Sequence, residues 1–338
     1  MTSGRRVTGL LLSALVLTLA GVAISHSLHR EPGAARSPYM PGPHLRPSAV
    51  PHQSPSHRIL LGTYASLSGW KGGEAAIDGR EASMGRHYDL QLTYYDWTDP
   101  FPDFGEATIA AQGRTPVMTW YGPGKNPNDH STLAQINNGQ EDGWIMRQAE
   151  AIKKWSRPVY LRLMIEMNAD WYRGYSGHPA AFIAAWRRTH GIFVRAGVHN
   201  VSWVWCPNLS PDNWDRYYPG NAYVDVIGVD GYNNVDEGPW RSFAKMFTPF
   251  LGHFAGRKPL MIGETGTNSI SGRAGPFIAG MHSYLRNVAG PGYGVMALCW
   301  FDTDNSDAYN WRVDQTPAAW RAWLALARDP YFTENGPS

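Results

Sequence analysis

The stretch Pro158-Val-Tyr-Leu-Arg-Leu-Met-Ile-Glu-Met-Asn-Ala-Asp-Trp171 predicts a buried strand that ends on a carboxylate. Residues 159–165 form a short apolar run that only Arg162 interrupts, and a turn-like Asn-Ala-Asp follows. Because side chains alternate along a strand, Arg162, Met164 and Glu166 are expected on one face. A glutamate at the carboxyl end of such a strand lies where parallel α/β proteins place their active sites.

A second strand of the same kind lies much later in the chain, in Pro259-Leu-Met-Ile-Gly-Glu264-Thr-Gly. It is again short and apolar, and it again ends on a glutamate. Two carboxylates at two strand ends are the minimum equipment for cleaving a glycosidic bond. Glu166 and Glu264 are therefore the candidate catalytic pair.

The remaining sequence repeats the pattern of a short apolar strand followed by a stretch with helical periodicity. Strands are predicted at 59–64, 90–95, 116–120, 159–166, 201–205, 224–229, 260–264 and 295–301. The clearest helices are predicted at 143–155, 179–196, 240–254, 275–288 and 315–327. Eight such units over roughly 270 residues predict a (β/α)8 TIM barrel in a single catalytic domain. An open doubly wound sheet is disfavoured because no glycine-rich phosphate loop follows the first strand.

Composition limits the classes of partner. The chain of 338 residues is 43% hydrophobic and 17% charged, which suits a globular fold with an ample core. A net charge of +2 without a basic run argues against nucleic acid. Fifteen tryptophans and seventeen tyrosines supply aromatic surface for a core and also suit a cleft that stacks uncharged sugars.

The N-terminus carries a targeting signal in front of the predicted domain. Arg5 and Arg6 precede an uncharged, mainly apolar run at 7–24, so residues 1–28 predict a signal peptide or an uncleaved membrane anchor. Either form places the rest of the protein outside the cytoplasmic membrane, secreted or tethered to its outer face. Residues 29–57 predict a proline-rich linker, and 58–338 the catalytic (β/α)8 domain.

In a barrel, the residues that close the strands converge on one mouth. Aromatic and acidic side chains dominate that set, which is typical of a sugar-binding groove. Its predicted members are Tyr64, Asp96, Trp97, Trp120, Tyr121, Glu166, Trp205, Asp230, Tyr232, Glu264, Trp300 and Asp302.

Several blocks along the chain resemble one enzyme family in the order in which they occur. They are Tyr160-Leu-Arg-Leu-Met-Ile-Glu-Met-Asn168 with Trp171-Tyr172, Trp203-Val-Trp-Cys-Pro-Asn208, Val224-Asp-Val-Ile-Gly-Val-Asp-Gly-Tyr-Asn233, Met261-Ile-Gly-Glu264 and Trp300-Phe-Asp302. Together with Trp120 and the segment after it, they are similar to glycoside hydrolase family 26, the family of many β-mannanases. The similarity covers residues 60–323, and five or more blocks in the right order are specific.

The resemblance implies a retaining mechanism without a cofactor, with Glu166 as acid/base and Glu264 as nucleophile. It also implies that Tyr232 hydrogen-bonds the nucleophile and that Trp300 forms an aromatic floor under the sugar. Further substrate-binding residues are expected at Trp171, Trp205, Asn168, Trp120 and Asp302. Arg162 is interpreted as a group that sets the charge and position of the carboxylates, or alternatively as an ion-pair partner of Glu166.

One position departs from the family pattern. Family members usually have a histidine directly before the acid/base glutamate, where this chain has Ile165. The predicted function is an endo-β-1,4-mannanase that acts on a polysaccharide or oligosaccharide as a monomer. The alternative keeps the mechanism and changes the substrate to β-1,3/1,4-glucan or β-xylan. A non-catalytic carbohydrate-binding protein is the alternative from another class.

The histidines and cysteines suggest no further chemistry. No spacing among His178, His190, His199, His253 and His282 indicates a metal site, and a solvated surface position is expected for them. Cys206 and Cys299 fall near the ends of two different strands, where two buried thiols are favoured over a disulfide.

Overall fold

The computed structural model describes residues 58–69, 73–103, 105–126, 128–234, 239–269, 272–304 and 309–332. The predicted leader (1–28) and linker (29–57) lie outside the described residues. No helix in the described ranges is long and apolar enough to cross a membrane.

Eight parallel strands pair in chain order and close into a barrel. They are β1 (Leu60–Ser66), β2 (Leu90–Tyr95), β3 (Thr115–Trp120), β4 (Val159–Leu163), β5 (Val201–Trp205), β6 (Val226–Asn233), β7 (Leu260–Thr267) and β8 (Val295–Thr303). The predicted (β/α)8 fold is confirmed. Parallel strands that are covered on both faces consist of continuous apolar runs, and for this reason they could be recognised in the sequence.

Helices surround the barrel between the strands. They are α1 (Gly73–Met84), α2 (Glu106–Ala111), α3 (Leu133–Asn138), α4 (Asp142–Trp155), α5 (Pro179–Ala196), α6 (Phe243–Phe254), α7 (Ala274–Tyr284), α8 (Gly290–Tyr293) and α9 (Pro317–Ala327). Side-chain oxygens of Thr132, Ser242 and Thr316 cap α3, α6 and α9 at their first turns. A π-helical turn, Leu285–Ala289, continues α7 into α8.

The end of β4 differs from the prediction. The strand stops at Leu163, because Met164 and Glu166 have left-handed φ angles of 48° and 54° that extended backbone does not contain. The expected shared face of Arg162, Met164 and Glu166 is therefore wrong. Met164 packs in the layer outside the barrel, and Glu166 lies in the turn that follows the strand.

The core has two layers that alternate along each strand. The layer inside the barrel includes Leu92, Val117, Tyr160, Ile165, Val204, Cys206, Met261 and Cys299. A larger layer fills the space between barrel and helices. Cys206 and Cys299 are both buried free thiols, in agreement with the favoured interpretation.

The two ends of the domain are fastened to each other. β1 and β8 pair over seven residues, and the amide of Ile59 donates a 2.9 Å hydrogen bond to the carbonyl of Tyr331. A buried ion pair of 2.8 Å joins Arg80 on α1 to Asp302 on β8. First and last strands thus form one continuous wall.

Candidate active site

Glu264 is a buried carboxylate on β7 that faces the mouth of the barrel. Its Oε1 accepts hydrogen bonds from Arg162 and from the hydroxyl of Tyr94, the latter over 2.8 Å. Its Oε2 accepts one from the hydroxyl of Tyr232 over 2.5 Å. The contact predicted between Tyr232 and Glu264 is present. Donors on both oxygens therefore hold this carboxylate in one orientation.

Glu166 is the second buried carboxylate of the mouth, and its surroundings differ from those of Glu264. Its Oε1 accepts from Nδ2 of Asn208 and its Oε2 from Nε1 of Trp171, each over 2.8 Å. Burial, and then the charge of Glu264, raise the pKa of Glu166 to about 7. Because its two donors are uncharged, they offset only part of this rise. At neutral pH Glu166 can hold or release a proton.

Arg162 links the nucleophile candidate to a third carboxylate. Its guanidinium is fully buried and contacts Glu264, Oδ1 of Asp230 at 3.3 Å and Oγ1 of Thr119 at 3.0 Å. The interpretation of Arg162 as an ion-pair partner of Glu166 is wrong, since the guanidinium pairs with the carboxylates of Asp230 and Glu264. Burial raises the pKa of Asp230 well above its usual range even with Arg162 beside it.

Asn168 holds the backbone of the loop that carries Asn208. Its Nδ2 donates to the carbonyls of Asn208 and Pro211 over 2.9 and 2.7 Å, and its Oδ1 accepts from the amide of Asn208 over 2.8 Å. Both ends of this amide are therefore used within the protein, and the expected contact with a sugar hydroxyl is wrong. Asn168 positions Asn208, which in turn contacts Glu166.

Aromatic side chains form the wall of the mouth next to Glu264. Phe301 stacks on Tyr64 with ring centroids 4.7 Å apart, and Tyr232 stacks on Trp311 at 4.3 Å. Tyr94 meets Tyr64 edge-on at 5.1 Å. Such ring faces and edges are suited to the apolar faces of sugar rings.

Trp171 lies on the other side of the mouth, beside Glu166. It is 52% exposed, although its indole nitrogen is hydrogen-bonded to the carboxylate. The neighbouring Tyr172 approaches it edge-on with ring centroids 6.5 Å apart. An exposed ring anchored at Glu166 is in a position to stack against a bound sugar.

The predicted substrate contacts of Trp120, Trp205, Trp300 and Asp302 are wrong. All four side chains are at most 1% exposed and point outward from the barrel. Trp120 stacks on Trp97 at 4.4 Å, Trp205 packs on Phe254, and Trp300 packs on Trp323. Asp302 accepts hydrogen bonds from Arg80 and from the amide of Val313.

The error lies in which face of the strand each residue was assigned to, since neighbouring residues on a strand face opposite sides. The inward residues are the next ones along: Tyr121 after Trp120, Cys206 after Trp205 and Phe301 after Trp300. Sequence reasoning also missed Tyr94, whose position in β2, two residues after Leu92 on the inward face, was the available signal.

His190 is not the solvated residue expected: it packs on Trp203 and Tyr223 at 5.1 and 5.3 Å, and burial lowers its pKa to about 4. Among the described ranges, no group of three or more His, Cys, Asp or Glu side chains is arranged to hold a metal ion.

Known proteins resemble this chain both in sequence and in structure. The family model "Glycosyl hydrolase family 26" matches residues 133–268. Endoglucanase H of Acetivibrio thermocellus is 29% identical over 287 residues, which are 78% of this chain and 31% of that protein. Mannan endo-1,4-beta-mannosidase A and B of Caldalkalibacillus mannanilyticus is 33% identical over 84 residues, 22% of this chain and 16% of that protein. The chain thus spans less than a third of the length of either relative.

Solved structures share the architecture. A GH26 beta-mannanase from Bacteroides ovatus superimposes with a TM-score of 0.61 at 16% identity and covers 82% of this chain and 90% of its own. GH26C from Muricauda sp. MAR_2010_75 gives a TM-score of 0.63 at 16% identity, covering 83% and 88%. At this identity the structural likeness establishes the barrel. The family model and the sequence relatives add a likeness in sequence: over residues 133–268 the chain is similar to glycosyl hydrolase family 26.

Proposed function

We propose that this protein is a retaining β-glycoside hydrolase that cleaves a β-linked polysaccharide by double displacement. Glu166 is the acid/base and Glu264 is the nucleophile. The observation that carries the proposal is the contrast between two buried carboxyl groups in one mouth. One has its pKa raised to about 7, and the other accepts hydrogen bonds from an arginine and two tyrosines. Such a contrast separates the roles of acid and nucleophile.

In the first step, a carboxylate oxygen of Glu264 attacks the anomeric carbon and the glycosidic C–O bond breaks. The departing oxygen takes the proton of Glu166, so the leaving sugar departs as a neutral alcohol. The negative charge of Glu264 is consumed in the new ester bond. The pKa of Glu166 then falls, because the charge of Glu264 is one of the causes that raise it.

In the second step, the ionised Glu166 removes a proton from water. The water oxygen bonds to the anomeric carbon, the ester C–O bond breaks, and the electron pair returns to Glu264. Two inversions give net retention of the β configuration. Both glutamates end in their starting protonation states, and the cycle requires no cofactor.

β-1,4-Mannan is the first substrate that we propose, with endo cleavage, since several sequence relatives are mannan endo-1,4-beta-mannosidases. β-Glucan is the second candidate, because the relative that matches 78% of the chain is an endoglucanase. Ile165 also favours a change of substrate: it is 1% exposed, packs inside the barrel and offers no side-chain hydrogen bond to a sugar.

The test measures the release of reducing sugar from mannan, mixed-linkage glucan and xylan by the wild-type enzyme and by Glu264→Ala. We expect cleavage of mannan or glucan with the β anomer formed first in the NMR spectrum, and no cleavage by the variant. Glu150→Ala, which changes an exposed glutamate on α4, is the matched control and should retain activity. Full activity of Glu264→Ala would disprove its role as nucleophile.

The acid/base assignment has its own test with Glu166→Ala. This variant should still form the glycosyl-enzyme from an aryl glycoside with a good leaving group but should hydrolyse it slowly. Added azide should then attack the intermediate without needing a base and should yield a β-glycosyl azide. An inverted azide product would contradict retention. Binding of polymer without cleavage by wild type would favour the carbohydrate-binding alternative.

We also propose that residues 1–28 direct export and that the enzyme acts outside the cytoplasmic membrane. The support is the Arg5-Arg6 pair before the apolar run at 7–24. N-terminal sequencing of the exported protein distinguishes its two forms: a start after the apolar run indicates a cleaved signal peptide, and an intact Met1 an anchor. Recovery of all the enzyme in the cytoplasm would refute export.

A further inference from the structure

We infer that Oε2 of Glu264 is the atom that attacks the sugar and that Tyr94, bound to Oε1, stabilises the carboxylate as it leaves in the second step. This inference rests on the proposed function and assigns a catalytic residue that the sequence analysis did not single out. It follows from how the hydrogen bonds of Glu264 are divided between its two oxygens.

The two oxygens of Glu264 are unequally occupied. A carboxylate oxygen offers about two lone-pair sites for hydrogen bonding, four for the whole group. Oε1 accepts from Arg162 and from Tyr94, which fills both of its sites. Oε2 accepts from Tyr232, and within the described residues it has no second donor. The remaining lone pair for bonding to carbon is therefore on Oε2.

The hydroxyl of Tyr94 is held on Oε1 by the packing of its ring. Tyr64 and Phe301 meet that ring edge-on at 5.1 and 6.1 Å, and Tyr121 stacks on it at 6.0 Å. Burial and the charge of Glu264 raise the pKa of Tyr94 well above its usual range. The hydroxyl therefore keeps its proton and remains a donor throughout the pH range in which the enzyme would act.

The contribution of Tyr94 differs between the two steps. In the first, Oε2 bonds to carbon, Oε1 becomes the carbonyl oxygen of an ester, and the hydrogen bond from Tyr94 weakens as the charge disappears. In the second, the bond between carbon and Oε2 breaks, the charge returns, and the same hydrogen bond strengthens. Tyr94 thus favours the departure of Glu264 more than its attack.

Tyr232 has the opposite relation to the chemistry. It donates to Oε2, the oxygen that forms the new bond, so it orients that oxygen during attack. Loss of its hydroxyl should act mainly on the first step. Tyr94 and Tyr232 therefore provide a matched pair, each contacting one oxygen of the same carboxylate, for which different kinetic consequences are expected.

The experiment compares Tyr94→Phe with the wild-type full-length enzyme on an aryl β-glycoside with a good leaving group, for which the second step limits the rate. We expect kcat to fall by about tenfold or more, the size expected for a lost hydrogen bond to a charged group. KM should fall by a similar factor, so the ratio kcat/KM should change by less than about threefold. Pre-steady-state release of the aryl group should show a burst, and intact mass should show accumulated glycosyl-enzyme.

Tyr284→Phe serves as the control, because it removes a hydroxyl that contacts Thr248 at 2.6 Å among the outer helices. It should leave both parameters unchanged. Tyr232→Phe should instead lower kcat/KM without accumulation of the intermediate. Tyr94→Leu, which also removes the hydroxyl, should repeat the kinetic pattern of Tyr94→Phe if the effect comes from the lost donor.

The failures of the two proposals can be distinguished. If wild type cleaves with retention and requires Glu264, but Tyr94→Phe lowers kcat/KM at constant KM with no burst, the role given to Tyr94 is wrong and the proposed function stands. If Glu264→Ala remains fully active, the proposed function itself is wrong. A Tyr94→Phe variant with wild-type kcat and KM also overturns the inference.

Discussion

The indole nitrogen of Trp171 donates a 2.8 Å hydrogen bond to Oε2 of Glu166 while the ring of Trp171 remains 52% exposed. One side chain therefore contacts the proposed acid with its polar edge and offers its apolar face to whatever occupies the mouth. This contact lowers the pKa of Glu166 against the larger effect of burial. We therefore expect substrate binding and proton transfer to be coupled through Trp171.

Replacement of Trp171 by Phe should weaken both functions. The lost N–H group no longer stabilises ionised Glu166, so the pKa of Glu166 should rise and the basic limb of the pH profile should move to higher pH. Loss of one such hydrogen bond and of indole surface should lower kcat/KM by about tenfold near neutral pH. Trp155→Phe, at the far end of α4, is the control. An unchanged basic limb would contradict the coupling.

The pH dependence of activity should follow Glu166. The first step needs this group protonated, and its pKa is raised to about 7. Activity on an unactivated substrate should therefore be retained below about pH 7. Above about pH 7 it should fall about tenfold for each unit by which the pH rises. In Glu264→Gln the neighbouring negative charge is absent, so the pKa of Glu166 measured by NMR should be lower than in wild type. A higher value would show that Glu264 does not act on Glu166.

Removal of Arg162 should destabilise the folded protein. Arg162→Met leaves the buried carboxylates of Asp230 and Glu264 without their cation, and a cost of about 3–5 kcal/mol in the free energy of unfolding is expected. Urea unfolding at pH 7 measures it. The control is Arg188→Met, which breaks a partly exposed ion pair with Asp142 and should cost about 0–1 kcal/mol. Equal effects would contradict the role given to Arg162.

Trp300 and Phe301 should separate stability from substrate binding. Trp300 is buried between barrel and helices, so Trp300→Phe should lower the free energy of unfolding by about 1–3 kcal/mol and leave KM unchanged. Phe301 belongs to the wall of the mouth, so Phe301→Ala should raise KM several-fold through lost ring contact. Steady-state kinetics and urea unfolding of both variants provide the comparison. The reverse pattern would show that the parity assigned to β8 is wrong.

The fold was predictable because a closed parallel barrel requires short apolar strands to alternate with amphipathic helices along the sequence. β2, β5 and α5 have the predicted bounds, and Glu166 and Glu264 were found because each follows an apolar run. The parity of the strands was not predictable. Both faces of a parallel strand are buried, so the pattern of apolar residues does not tell inward from outward positions. Trp300 was chosen where Phe301 faces the mouth.

The hydrogen-bond partners of the two glutamates were also beyond sequence reasoning. Tyr94 and Glu264 are 170 residues apart, and Asn208 and Glu166 are 42 apart. Such contacts depend on the register of neighbouring strands and on the loops above them. The turn at Glu166, with its left-handed φ of 54°, carries no glycine that would have signalled it.

The hydrogen bond between Ile59 and Tyr331 places the two ends of the domain side by side, so the barrel is suited to circular permutation. A short peptide joining these two positions would complete the ring covalently. New termini could then be opened in an exposed loop between other units, and the same eight-membered cycle of strands would re-form. The position of the termini between β8 and β1 is therefore one of several at which the chain of this barrel could begin.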